Sequence, residues 1–108
     1  MQTTVSPVDY KKHYTYADYY GINDDKRYEV MEGDIMMVPA PATRHQKISL
    51  RIEHLLVNAT DPKNLGEVFY APTDVVLSND VVVQPDILFI FKERVDIIKE
   101  QAIMGAPD

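Results

Sequence analysis

Short apolar runs separated by turn residues make up most of this chain, and the longest of them covers residues 82–91. A single carboxylate, Asp86, lies within this run and follows Gln84 and Pro85. An isolated carboxylate is costly to bury, so Asp86 requires a partner side chain, a strand end that reaches water, or a chemical role. Pro85 cannot donate a hydrogen bond to a neighbouring strand, which predicts a bulge or a sheet edge at this position.

Two segments have helical patterns. Residues 15–18 resemble a capping box, with Asp18 in place of the usual Glu, and predict a short helix through Tyr20. A longer helix is predicted from Thr43, which can cap it, to about Ala59. Apolar residues at helical spacing predict its buried face: Ile48, Ile52, Leu55, Leu56 and Ala59.

A hairpin is predicted between the two helices. Residues 27–31 and 34–38 have the composition of strands, and Glu32-Gly33 can form the tight turn that joins them. Glu29 lies in the first of these strands. It either pairs with Arg27 or remains a surface acid, or it belongs to a functional site.

Two further strands are expected at residues 67–70 and 74–77. The second should pair antiparallel with the run at 82–91, which would bring Asp74 near Asp86. Asp74 is then either a solvated strand start or a second carboxylate of a site. This order of elements predicts an α+β fold, with the long helix packed on a mostly antiparallel, strongly twisted sheet.

Composition limits the class of protein. The chain has 108 residues, no cysteine and a net charge of −6. We expect a flexible N-terminal arm over residues 1–14 and one domain over 15–108. No apolar run approaches the roughly 18 residues of a membrane span, and no signal peptide is evident, so we expect a cytoplasmic protein with no membrane partner. The acidic balance argues against general nucleic-acid binding, although a local basic stripe can suffice.

One basic face is predicted, on the long helix. Arg44, Lys47, Arg51 and His54 fall along it, beside the apolar positions. Because helix N-termini attract phosphates, this face is the candidate for DNA contact, and a simply solvated face is the alternative. His45, in the first turn, either packs and hydrogen-bonds locally, or serves as a general base or a phosphate contact.

Several short motifs occur in an order and spacing that resemble a known family. They are Tyr16-Ala17-Asp18-Tyr19, Arg27-Tyr28-Glu29-Val30-Met31-Glu32-Gly33-Asp34, Pro39-Ala40-Pro41 with Arg44-His45-Gln46, Ala71-Pro72-Thr73-Asp74-Val75, Val83-Gln84-Pro85-Asp86 and Gly105-Ala106-Pro107-Asp108. The chain resembles the Uma2 family of restriction endonucleases, also known as DUF820 and common in cyanobacteria. The resemblance covers nearly the whole chain.

The resemblance implies a restriction-endonuclease-like core of the PD-(D/E)XK nuclease superfamily. Carboxylates of such a site bind Mg²⁺ (or Mn²⁺), and the metal activates water for attack on a phosphodiester of DNA. By position, Asp86 would be a metal ligand and a catalytic residue. Asp108 would match the acid that opens the next core strand and would also bind metal. Glu29 and His45 match positions that recur in the family's motifs, and Arg44, His45, Lys47 and Arg51 would contact DNA.

The resemblance also implies a C-terminal truncation. Members of the family continue beyond the motif that ends at Asp108 into a strand that carries a Glu. The site would then be incomplete, and the domain a partial PD-(D/E)XK nuclease. The alternative function is a non-catalytic module with the nuclease fold, which forms a homo-oligomer or binds a partner through an exposed sheet edge.

Overall fold

The computed structural model describes residues 8–108. Its helices and strands follow one another in a simple order. They are α1 (Tyr16–Tyr20), β1 (Arg27–Met31), β2 (Asp34–Val38), α2 (Thr43–Thr60), β3 (Gly66–Tyr70), β4 (Val75–Ser78), β5 (Val81–Val83) and β6 (Ile87–Phe91), with 3₁₀ turns at Asp61–Lys63 and Lys92–Ile97. No helix of the described residues is long and apolar enough to span a bilayer.

The two helices begin differently. The capping box before α1 is confirmed, because the Thr15 side chain accepts from the backbone of Asp18 while the Asp18 carboxylate accepts from the backbone of Thr15. The expected cap of α2 is wrong. Ala42 is the N-cap of α2 and makes no side-chain cap bond, so Thr43 lies inside the first turn, where its hydroxyl cannot serve that purpose.

The apolar run at residues 82–91 does not form one strand. It divides at Gln84-Pro85-Asp86, where Pro85 lacks the donor that a continuous ladder needs. β5 joins a four-stranded antiparallel sheet in the order β2-β1-β5-β4, whereas β6 pairs with β3 in a second, two-stranded sheet. The predicted pairing of residues 74–77 with the run is therefore correct only for β5, so Asp74 does not lie opposite Asp86 across a ladder.

β4 links the two halves of the core. Val76 belongs to a cluster built on the four-stranded sheet, and Val75 belongs to a second cluster that includes Ile90. Adjacent residues of a strand face opposite sides, so one short strand serves both clusters. Ile103 holds β4 in place through two backbone hydrogen bonds. Its N–H donates to the Asp74 carbonyl and its carbonyl accepts from Val76, each at 2.8 Å.

The structure also bears on the predicted N-terminal arm of residues 1–14. Residues 1–7 lie outside the described part of the chain. Tyr14, the last residue of that arm, is buried in the core of the four-stranded sheet, and Val8 packs against the same cluster. The folded unit therefore includes Tyr14, although the residues that precede it in the sequence are mostly polar.

The helix α2 does not bury the face that its apolar spacing predicts. Ile48, Ile52 and Leu55 are 48%, 49% and 71% exposed. The half-buried apolar positions of α2 are Leu56 and Val57, near the end of the helix where α2 contacts β3. Periodicity identifies which residues share a face, but the neighbouring elements decide which face is covered.

Gly66 opens β3 opposite Phe91 in the ladder with β6. A Cβ at this position would overlap the carbonyl oxygen of Ile90. We therefore expect Gly66→Ala to lower the free energy of unfolding by about 1–3 kcal/mol, measured by chemical denaturation. The matched control is Gly21→Ala, where the nearest atoms lie at 3.6 Å and the change should stay within about 0.5 kcal/mol. Equal effects of the two substitutions would contradict this account.

The raised pKa of Tyr28 allows a prediction of how the free energy of unfolding changes at alkaline pH. Burial, followed by the hydrogen bond that its hydroxyl donates to Asp24 at 2.9 Å, raises the pKa of Tyr28 from 10.0 to about 12. The folded chain therefore keeps this proton at pH values where the unfolded chain has released it. Its contribution is fully present below pH 10.0 and is lost as the pH rises through about 12.

Denaturant unfolding should thus show stability falling across this alkaline window, and Tyr28→Phe should reduce the slope. The same substitution should cost about 1 kcal/mol at neutral pH through the lost hydrogen bond. Tyr20→Phe is the control, because Tyr20 is exposed. An identical alkaline slope in Tyr28→Phe and the unaltered chain would refute the assignment.

Candidate functional site

Gln84 lies between β5 and β6 and makes hydrogen bonds through both its backbone and its side chain. Its backbone N–H donates to Oε2 of Glu29 at 2.6 Å, and its side-chain Oε1 accepts from Nε of Arg27 at 2.8 Å. Both partners belong to β1, which pairs with β5. Glu29 thus caps an unpaired donor of the interrupted strand, instead of pairing with Arg27 as one reading of the sequence expected.

The other end of the Gln84 amide is fixed as well. Its Nε2 donates to Oδ1 of Asp74 at 2.8 Å and to the Tyr19 hydroxyl at 3.0 Å. The Tyr19 hydroxyl donates in turn to Oδ1 of Asp74 at 2.7 Å. Burial, and then this bond to Asp74, raise the pKa of Tyr19 well above its usual range. Because every polar atom of the Gln84 amide has a partner, its orientation is determined.

Sequence reasoning missed Gln84, Tyr19 and Arg27 as members of one site. A signal for Gln84 exists, since it is a polar side chain inside an apolar run and directly precedes Pro85. Tyr19 belongs to one of the motifs that carry the family resemblance, but nothing in the sequence links it to Gln84, which lies 65 positions away. Only the packing of α1 against the sheet brings them together.

The carboxylate of Asp86 faces His45 at the start of α2. Oδ2 of Asp86 lies 3.2 Å from Nε2 of His45, and the side chains are 61% and 46% exposed. A polar contact this exposed stabilises the fold by about 1 kcal/mol or less. The free-energy cost of burying a carboxylate is thus avoided, because Asp86 lies at a strand end that reaches water and has a partner side chain.

A groove of about 740 Å³ opens beside this pair. It runs between α2 and the turn that joins β5 to β6. Its walls are partly apolar and also carry charges of both signs, an aromatic hydroxyl and two amides, which belong to Arg27, His45, Gln46, Glu53, Tyr70, Gln84 and Asp86. Such a groove can receive an extended polar chain and offers cationic donors beside a carboxylate.

Asp108 is not brought to this groove. Its backbone N–H donates to the Phe89 carbonyl at 2.9 Å, its Oδ2 accepts from the Phe91 N–H at 3.0 Å, and Oδ2 lies 3.1 Å from Nη1 of Arg94. Asp108 is therefore held beside β6 by its backbone and by its carboxylate. Its carboxylate lies near the far end of β6 from Asp86, a separation of roughly 16 Å along the strand.

The carboxylates of the described residues do not form a metal site by themselves. Within residues 8–108, no group of three or more His, Asp or Glu side chains converges closely enough to hold an ion. Mg²⁺ prefers several oxygen ligands in octahedral geometry. Asp86 can contribute one ligand from the groove, whereas the carboxylates of Glu29 and Asp108 already accept from backbone N–H groups. This set alone does not fit a resident Mg²⁺.

The predicted basic face lies on the outside of α2. Arg44, Lys47 and Arg51 are exposed and are absent from the groove walls. His45 alone of the predicted DNA contacts lines the groove. DNA contact by the three cations stays a prediction, because exposure permits it and does not require it.

Comparisons with known proteins agree with this fold. The chain matches the family model Uma2, described as "Putative restriction endonuclease", over residues 13–108. A search of solved structures finds the "crystal structure of a putative nuclease belonging to DUF820" from Anabaena variabilis, with a TM-score of 0.69 and 18% sequence identity. The match covers 86% of this chain and 54% of that one, so this chain spans about half of that protein's length. Among curated proteins no match is found.

The solved structure supports the fold, and the family match extends from His13 through Asp108, across every helix and strand described above. The chain belongs to the Uma2 family of restriction-endonuclease-like proteins.

Proposed function

We propose that the groove beside Asp86 and His45 is the catalytic groove of an endonuclease that hydrolyses phosphodiester bonds of DNA. The observation that carries this proposal is the contact between the Asp86 carboxylate and the His45 imidazole at the groove wall. We propose the cytoplasm as its compartment. Since the chain spans about half of its solved relative, the activity of the whole protein is part of the proposal.

His45 has the geometry of a general base. When Nε2–H of the neutral imidazole donates to Asp86, Nδ1 is left as an acceptor. Nδ1 can take a proton from a water whose oxygen attacks phosphorus, while the bond from phosphorus to the leaving oxygen breaks. Asp86 then holds the ring in one tautomer and stabilises the imidazolium that forms.

Mg²⁺ or Mn²⁺ is the cofactor that we propose for the family chemistry, in which the ion acidifies a bound water and offsets developing charge. Asp86 is the proposed ligand in the groove. Asp108 and Glu29, the further proposed carboxylates, would reach the ion only by leaving the backbone N–H groups that they accept from. The ligand set is not complete in the described residues. Arg44, Lys47 and Arg51 remain proposed contacts to DNA outside the groove.

The proposal predicts a loss of cleavage on substitution at the groove. Asp86→Asn and His45→Gln should each slow nicking of supercoiled plasmid DNA by about 10²-fold or more, because the general base loses its orientation or is removed. The assay is gel electrophoresis of plasmid in Mg²⁺ and in Mn²⁺. Asp25→Asn is the control, since it makes the same charge change at an exposed turn.

Undiminished cleavage by Asp86→Asn would exclude Asp86 from the chemistry. Absence of cleavage by the unaltered chain in both metals would count against catalysis by this chain and would favour the second candidate function.

The second candidate is a non-catalytic module that forms a homo-oligomer through a sheet edge. Within the described residues, β2 is the end strand of the four-stranded sheet and pairs only with β1. Met36 and Met37 on this strand are exposed. An exposed apolar edge strand is a template for pairing with another chain. The edge beside β6 is less open, because the backbone of Asp108 already bonds to Phe89.

Light scattering should then report a dimer for the unaltered chain and a monomer for Met37→Lys, because a charge on the edge opposes strand pairing. Met104→Lys is the matched control, since Met104 is exposed but lies outside the strands. A monomer at all concentrations would rule out this edge, and equal dissociation by both substitutions would place the interface elsewhere.

A further inference from the structure

Arg27 stands out among the cations of the structure because of where its guanidinium lies. It begins β1, lines the groove, and is half-buried. Within residues 8–108 no carboxylate lies at ion-pair distance from it. The acid that the sequence offers as its partner, Glu29, instead accepts the backbone N–H of Gln84. A half-buried cation in a groove, with no acid to pair with, has capacity for an anionic ligand.

The orientation of this guanidinium is determined by Gln84. Nε of Arg27 donates to Oε1 of Gln84 at 2.8 Å. Oε1 is itself fixed, because Nε2 of the same amide is bound by Asp74 and the Tyr19 hydroxyl. Nε is thereby used inside the protein, and the two terminal nitrogens of the fork remain as donors. A guanidinium held in this way presents paired donors that match two oxygens of a phosphate.

The groove that Arg27 lines also contains the residues proposed for catalysis. His45 and Asp86 line the same groove as Arg27 and contact one another. A phosphate bound by Arg27 would thus lie in the same groove as the imidazole that we propose as general base. The carboxylates of Asp86 and Glu53 repel an anion, so attraction of a phosphate to this groove depends on the charge and the paired donors of Arg27.

We propose that Arg27 binds a phosphate of the DNA backbone in the groove, and that Gln84 is the residue that positions it. This inference rests on the proposed function, because it names the residue that holds the substrate of that site. Arg27 supplies charge and paired donors. Gln84 supplies no charge and acts only through the direction of the Arg27 fork.

The test is binding of a short fluorescein-labelled duplex DNA by fluorescence anisotropy, in EDTA and at a series of salt concentrations. Arg27→Gln should weaken binding about 10-fold and should lower the slope of log affinity against log salt by about 0.9, the value for one lost phosphate contact. Arg27→Lys keeps the charge without the fork, so it should restore the salt slope but only part of the affinity. Lys26→Gln is the control, since this neighbouring cation is exposed and outside the groove.

Gln84→Met tests the positioning role separately. It keeps the length of the side chain and leaves Arg27 charged, so affinity should fall while the salt slope stays unchanged. A purely structural role for Gln84 would lower the melting temperature without this change in affinity. Thermal melts of each variant by circular dichroism identify any loss that comes from unfolding.

Two outcomes would overturn the assignment of Arg27: DNA binding by Arg27→Gln with the affinity and slope of the unaltered chain, or no binding by the unaltered chain. Plasmid cleavage is scored independently. If the unaltered chain cleaves plasmid and Arg27→Gln binds DNA normally, Arg27 is excluded from the site and the proposed function stands. Loss of both cleavage and binding in the unaltered chain removes both.

Discussion

The candidate site depends on the set of hydrogen bonds made by Gln84. The strand β5 ends just before Gln84 and Pro85. The backbone N–H of Gln84 therefore donates to the side chain of Glu29 instead of to a neighbouring strand. The side chain then joins Arg27 on one side to Asp74 and Tyr19 on the other. Polar groups that are half-buried strengthen one another when each is satisfied. The interruption that ends one sheet thus creates the ordered polar cluster from which the groove is built.

The same interruption sends the chain from one sheet to another. β5 completes the four-stranded sheet, while β6 pairs with β3 and carries Ile90 into the second cluster of the core. Asp86 lies at the crossing, outside both ladders, where its carboxylate reaches water and His45. A charged side chain is tolerated within an apolar run because the backbone turns there. The position that looks costly in the sequence is therefore the one that the fold leaves open.

The positions of the carboxylates do not allow the residues of the groove to form a metal site by themselves. Asp86 lies at the start of β6, and Asp108 binds the backbone near its end, so the two acids that the family resemblance joins in one metal site are held apart. Arg27 and His45, by contrast, share the groove with Asp86. The described residues thus place a guanidinium and an imidazole in the groove with Asp86, but they do not gather the carboxylates of a metal site there. Membership of the Uma2 family agrees with this nuclease-like fold.

Local pattern in the sequence determined the elements: the capping box before α1, the β1–β2 hairpin around Gly33, the extent of α2, and an irregularity at Pro85, although not the division of the run between two sheets. These features depend on neighbours in the chain, so spacing and backbone chemistry suffice to predict them. Only the tertiary structure decided that Ile48, Ile52 and Leu55 face outward, that Tyr14 is buried, and that residues 65 positions apart meet at Gln84. Burial and side-chain partners depend on which elements pack together, and periodicity within one element carries no information about that choice.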